Sequence, residues 1–286
     1  MKGFLFLGLL FSSLSIAGLP TDFWRLRYDD RGIPLVDVQI ASRLHTLMLD
    51  TGSGEGIHLY KPNLDQLISD PYLKAVRQVP RRLIDVSGGE NEVSSWKIER
   101  LLISNIAFHD VEAVIFKPWG FSMGGEQPVN EVLGLGIFHG RRVMIDFKND
   151  RLSVLKNLPS DISNWSAYPV NKTASGLRVT VSVGGVPLHL IVDTGASHSL
   201  LFHNRLPAGT LFSGCRTLES EASNLDCRVT KFTMADNKGR LRTDLAIVTN
   251  GITPQELDFD GLLGMGFMRG HQVIIDMPEN MLYIDR

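Results

Sequence analysis

Two short segments carry the acids that could do chemistry. Leu47-Met48-Leu49-Asp50-Thr51-Gly52-Ser53 returns later in the chain as Leu190-Ile191-Val192-Asp193-Thr194-Gly195-Ala196. One Asp-Thr-Gly would mean little, but two copies, each behind three apolar residues, mark an internal duplication. Each Asp is expected at the mouth of a buried strand, where Gly52 or Gly195 lets the backbone turn sharply. Thr51 and Thr194 are placed to hydrogen-bond across to the opposite loop and hold the carboxyl groups on one axis. Two carboxylic acids that close cannot both ionise, so one pKa rises and the pair shares a proton. The anionic member can then take a proton from water while the protonated member donates to a carbonyl oxygen, an arrangement able to hydrolyse an amide. The loops differ in one respect. Ser53 follows the first Asp-Thr-Gly and Ala196 the second; a Ser53 hydroxyl donating to Asp50 would favour its anion and leave the proton on Asp193.

The elements that must position these loops repeat as well. Val132-Leu133-Gly134-Leu135-Gly136 matches Leu262-Leu263-Gly264-Met265-Gly266, and the match continues through Gly140/Gly270, Val143/Val273, Ile145/Ile275, Asp146/Asp276 and Leu152/Leu282. Leu35 to Ile40 and Val179 to Val183 alternate with the period-two pattern of half-buried strands. Val143 to Leu155 and Val273 to Ile284 read as hairpins around polar turns. Asp70-Pro71 reads as a helix start running on through Tyr72 to Val79. Asp146 and Asp276, each next to a turn, read as backbone-capping groups. The polar stretch Leu158 to Tyr168 divides the halves, giving residues 19–160 with Asp50 and residues 161–286 with Asp193.

At these residues the sequence resembles the aspartic proteases, two-lobed like the pepsin family but with short lobes like the retroviral and bacterial retropepsin-like enzymes. The resemblance covers about Leu35 to Arg286. It implies a mostly β, bilobal fold of two duplicated retropepsin-like β-barrel lobes with a cleft between them, and Asp50 and Asp193 as the catalytic pair. It further implies active-site loops formed by Thr51, Gly52 and Ser53 and by Thr194, Gly195 and Ala196, with Leu133, Gly134, Leu263 and Gly264 packed beneath them. A β-hairpin flap would close over the substrate. The matching stretch, Ile84 to Ile98 with Ser87, Gly88 and Gly89 at its tip, lacks the flap tyrosine of the pepsin family and has Trp96 as its large aromatic. No long basic stretch lies between the signal and the first strand, where a pepsin-like zymogen would carry its inhibitory segment, so no such segment is expected.

The expected function is therefore that of an exported aspartic endopeptidase, hydrolysing peptide bonds through a water activated by the Asp50/Asp193 dyad. The competing reading is a non-catalytic peptide- or protein-binding module on the same scaffold, because fold alone does not establish activity. In either case the partner is an extended peptide or protein adding backbone hydrogen bonds in the cleft. Both halves of the site lie on one chain, so a monomer is expected.

Composition agrees with this reading. The chain has 286 residues, 43% of them hydrophobic, with 29 Lys plus Arg against 31 Asp plus Glu. Such a near-neutral balance offers no basic surface for nucleic acid or anionic membrane. Residues 1–18 have a positive start, an apolar run from Gly3 to Phe11 and small residues before Gly18, as in a cleaved export signal. The run is too short to span a bilayer, which needs about 20 helical residues, so a periplasmic or secreted protein, free of the membrane after cleavage, is expected. Export leaves Cys215 and Cys227 free to bond or to remain as core thiols. A bond closing so short a loop would contribute roughly 2 to 3 kcal/mol.

No cofactor is called for. The histidines form no metal-binding helical pair and two cysteines make no zinc set. The Gly-x-Gly segments lack the spacing of a nucleotide-binding loop, and no Gly-x-Ser-x-Gly elbow occurs. His58 and His198, after the two acids, read as loop-surface residues.

Overall fold

The period-two pattern becomes strand in both halves. In Pro34–Ile40 the inward positions Val36, Val38 and Ile40 are buried, and in Gly176–Val183 they are Leu177, Val179, Val181 and Val183. The structure, a computed structural model, describes residues 23–84, 89–118, 130–215, 227–249 and 257–286. The candidate export signal lies outside the described residues.

Each half closes into a six-stranded barrel. In the first, the hydrogen-bonded order is Pro34–Ile40, Arg43–Asp50, Glu131–Gly134, Ile57–Leu59, Ile106–Ile115 and Ser95–Ile103, and the pair Ile40 and Ile103 closes the ring. In the second it is Gly176–Val183, Val186–Val192, Gly261–Leu263, Ser199–Phe202, Leu241–Thr249 and Arg228–Ala235, closed by Ser182 opposite Thr233. Closure leaves few unpaired strand edges. Each interior is filled by apolar side chains, with Leu47, Leu49, Phe108 and Leu133 in the first and Leu190, Val192, Phe232 and Leu263 in the second. The two duplicated β-barrel lobes expected from the sequence are present.

The expected hairpins form and do more than cap their own halves. Arg142–Asp146 pairs with Arg151–Leu155, and Gln272–Asp276 with Met281–Ile284. The two hairpins then pair with each other, antiparallel, Met144 lying opposite Ile274. With Phe23–Tyr28 and Ser166–Pro169 at its sides, this makes a six-stranded floor shared by both lobes. Asp146 accepts from the backbone N–H groups of Lys148 and Asn149 and from the Gln272 amide of the other half. Asp276 accepts from the Glu279 N–H and from Arg142, 2.7 Å away across the junction. The two acids thus cap their turns and also fasten the lobes together.

One expectation needs correction. Asp70 does accept from the Tyr72 N–H, but the segment makes only a 3-10 turn, Pro71–Leu73. Lys74 then takes a left-handed conformation and Ala75–Arg77 becomes a strand against Trp96 to Ile98. Val76 and Val79 are exposed, so the segment has no apolar face for a helix to bury. Among the described residues the α-helix of this lobe is Lys61–Ile68, with Pro62 in its first turn and Leu64 and Leu67 buried.

Candidate functional site

Asp50 ends the strand Arg43–Asp50, and Asp193 follows directly on Val186–Val192. Each of these strands is flanked in parallel by the later apolar-Gly segment of its own lobe. Leu133 and Gly134 lie beside Leu49 and Asp50, and Leu263 lies beside Val192. The Gly residues are needed for contact. A β-carbon on Gly134 would stand 2.2 Å from the Glu55 carbonyl oxygen, and one on Gly264 would stand 2.3 Å from that of His198. Leu133, Gly134, Leu263 and Gly264 therefore lie directly under the loops, whose carbonyls at Ser53 and Ala196 accept from Leu135 and Met265.

The loops meet through reciprocal bonds. The Thr194 hydroxyl accepts from the Thr51 N–H at 3.1 Å and donates to the Leu49 carbonyl at 2.6 Å. The Thr51 hydroxyl accepts from the Thr194 N–H at 3.0 Å and donates to the Val192 carbonyl at 2.8 Å. Both threonines are buried. They bring the acids together at the junction of the barrels. A β-carbon on Gly52 would lie 2.8 Å from the Asp193 carboxyl carbon, and one on Gly195 would lie 3.0 Å from that of Asp50. Each glycine makes room for the acid of the other loop.

The two carboxyl groups hydrogen-bond to one another, and burial raises both of their pKa values. Asp193 is held well above the ordinary carboxylate range, first by burial and then by the facing charge of Asp50. Asp50 is raised by burial, against which the hydrogen bond from Asp193, the charge of His58 and the N–H groups of Gly52 and Ser53 all favour its anion. The pair is thus a donor, Asp193, beside an acceptor, Asp50.

The origin of this asymmetry differs from the expected one. Ser53 helps Asp50 through its backbone N–H, 3.2 Å from Oδ1, while its hydroxyl turns away to His58 Nε2 at 2.7 Å and Glu55 at 3.3 Å. His58 is not on the surface. It sits in the strand Ile57–Leu59 and is 1% exposed. The signal was its place between Ile57 and Leu59 in a strand buried on both faces. His198 is half-buried beside Ser197, its pKa lowered by burial.

Other expected site residues stand on elements apart from the two loops. The hairpin in the flap position is Arg81–Ile84 paired with Glu90–Val93. Ser87 and Gly88 of its tip lie outside the described residues, and Gly89 precedes the returning strand. Trp96 stands in the next strand, Ser95–Ile103, with Arg77 5.9 Å over its ring. The hairpin is tied to its barrel by Arg81, which makes two bonds to Glu112. Cys215 and Cys227 are joined as a disulfide with their α-carbons 5.4 Å apart. Among the described residues no three His, Cys, Asp or Glu side chains gather as a metal-binding group.

No protein-family model matches the chain, and no curated protein matches it in sequence. Among solved structures it is similar to Basic 7S globulin from soybean, with a TM-score of 0.56 and 10% identity over 92% of this chain and 94% of that one. At this identity the likeness is one of fold, and with the two closed barrels it gives a bilobal, pepsin-like aspartic-protease fold. The endopeptidase expected from the two Asp-Thr-Gly loops is corrected at this point. The fold is shared with a globulin, and this likeness carries the scaffold without the hydrolytic activity.

Proposed function

We propose that this chain is an exported binding module that holds an extended peptide or protein segment in the cleft between its two lobes. The observation that carries this reading is the meeting of Asp50 and Asp193 at the lobe junction, a half-buried donor beside a buried acceptor. Such a pair engages a ligand group that both donates and accepts, while the backbone of an extended ligand adds strand-like hydrogen bonds. The Arg81–Val93 hairpin, fastened through Glu112, is the element that would close on the ligand. Export is supported by the amino-terminal segment and by the disulfide, a bond that persists in oxidising compartments.

The test is equilibrium binding of an extended peptide library to the purified mature chain, with mass spectrometry of the recovered peptides. Intact peptides, retained by the wild type and lost on Asp50→Asn or Asp193→Asn, are expected. Recovery of cleaved peptides from the wild type and intact ones from either variant would overturn the reading, as would retention indifferent to both substitutions.

A further inference from the structure

The lobes are duplicates at the acids and unlike just behind them. In the first lobe Ser53, Glu55 and His58 follow Asp50, and the corresponding places in the second are Ala196, His198 and Leu200. The first set is built as a chain. Asp50 accepts from the Ser53 N–H, the Ser53 hydroxyl lies 2.7 Å from His58 Nε2, and Glu55 stands 3.3 Å from that hydroxyl and 3.6 Å from the imidazole. His58 is 1% and Ser53 8% exposed, and the Glu55 side chain 16%. The same chain does not form in the second lobe, where Ala196 has no hydroxyl and Leu200, opposite Leu262 as His58 is opposite Val132, stands in the place of His58.

The groups around His58 fix what it can act on. Val132 and Val114 lie opposite it on the two flanking strands. The acids of those strands are otherwise engaged, Glu131 with His45, Tyr60 and Asn63, and Glu112 with Arg81 and Ser95. Arg81 is a further cation near Glu55, which it and His58 keep ionised. Glu55 is the carboxylate beside the imidazole, and Asp50 is reached from it through Ser53.

We propose that His58 is a positioning residue for the acid pair. Held with Glu55 behind the first loop and 2.7 Å from the Ser53 hydroxyl, its imidazole fixes the loop whose Ser53 N–H donates to Asp50 and keeps Asp50 as the acceptor and Asp193 as the donor. The cleft therefore takes ligands that present a hydroxyl or N–H to Asp50 and an oxygen acceptor to Asp193, in that order and not the reverse. This rests on the binding reading for its ligand, but the charge arrangement belongs to the free protein.

The experiment titrates the carboxyl carbons of 13C-Asp-labelled protein by NMR, assigning Asp50 and Asp193 from their Asn variants. In His58→Asn, which lacks the imidazole, the Asp50 ionisation is expected to move to higher pH by roughly one unit. His58→Gln is the second variant, used where Asn fails to fold. An Asp50 titration unchanged in the folded variant, or a wild type whose Asp193 ionises first, would overturn the proposal. A parallel arm measures binding of a hydroxyl-containing extended peptide against pH; the acidic limit of binding should shift upward with the titration. Absence of binding in the wild type would count against the binding reading alone, since the titration is read without ligand.

Discussion

Thr51 and Thr194 each accept the other's backbone N–H and each donate to a carbonyl in the opposite lobe. Four buried hydrogen bonds thus rest on two hydroxyl groups. Thr51→Val keeps the shape but leaves the Val192 carbonyl and the Thr194 N–H unsatisfied in a dry interior. The expected loss is about 3 kcal/mol, read as a lower urea midpoint, with Thr194→Val similar. The double variant should cost less than the sum, because the same junction fails once.

The duplicated Gly-x-Gly segments should respond unequally to alanine. A β-carbon on Gly136 would stand 2.1 Å from the Gly54 carbonyl oxygen, whereas one on Gly266 meets nothing within 4 Å. Gly136→Ala should displace the first Asp-Thr-Gly loop and destabilise by about 2 kcal/mol or more. Gly266→Ala, in a short helical turn, should be neutral or stabilising by up to about 1 kcal/mol. Thermal unfolding of the two variants checks the contrast.

Asp193 should make the fold pH-sensitive. Its folded pKa is raised, so its contribution is fully present below the unfolded value of about 3.9 and is lost as pH rises toward the folded one. Asp193→Asn keeps a donor for Asp50 and removes that titration. Relative to the variant, the wild type should lose stability as pH rises above about 4. Parallel urea midpoints that do not diverge would contradict this.

Glu131 should behave oppositely. Its buried carboxylate accepts from the Tyr60 N–H and the Asn63 amide, both at 2.7 Å, and lies 3.0 Å from His45. These partners hold its pKa below the ordinary range against the opposing effect of burial. Its contribution is present above the unfolded value and is lost as pH falls through the folded one. Glu131→Gln should cost about 2 kcal/mol near pH 7, and the difference from wild type should close below about pH 4.

The parts of this structure written twice were legible in the sequence. Asp50 and Asp193, their threonines and the glycine pairs beneath them announce themselves because chance does not repeat such a spacing, and period-two strands around them admit few folds. The rest depends on partners distant in sequence. No local pattern says that Met144 will lie opposite Ile274, so the shared floor was seen only as two separate hairpins. The segment after Asp70 had its cap but no apolar face, and a cap alone does not propagate a helix. His58 was misread because a polar residue between two apolar ones resembles a surface position until the strand is found buried on both sides.

The first lobe has kept a histidine and a glutamate where the second has a histidine and a leucine. Two identical subunits related by a twofold axis would have to present the same surroundings to both acids, and their shared hydrogen would be delocalised between equivalent oxygens. Joining the two halves in one polypeptide removes that obligation. A ligand held in the proposed cleft would meet a directional polarity, one end distinguishable from the other, set by Ser53, Glu55 and His58 behind the first loop.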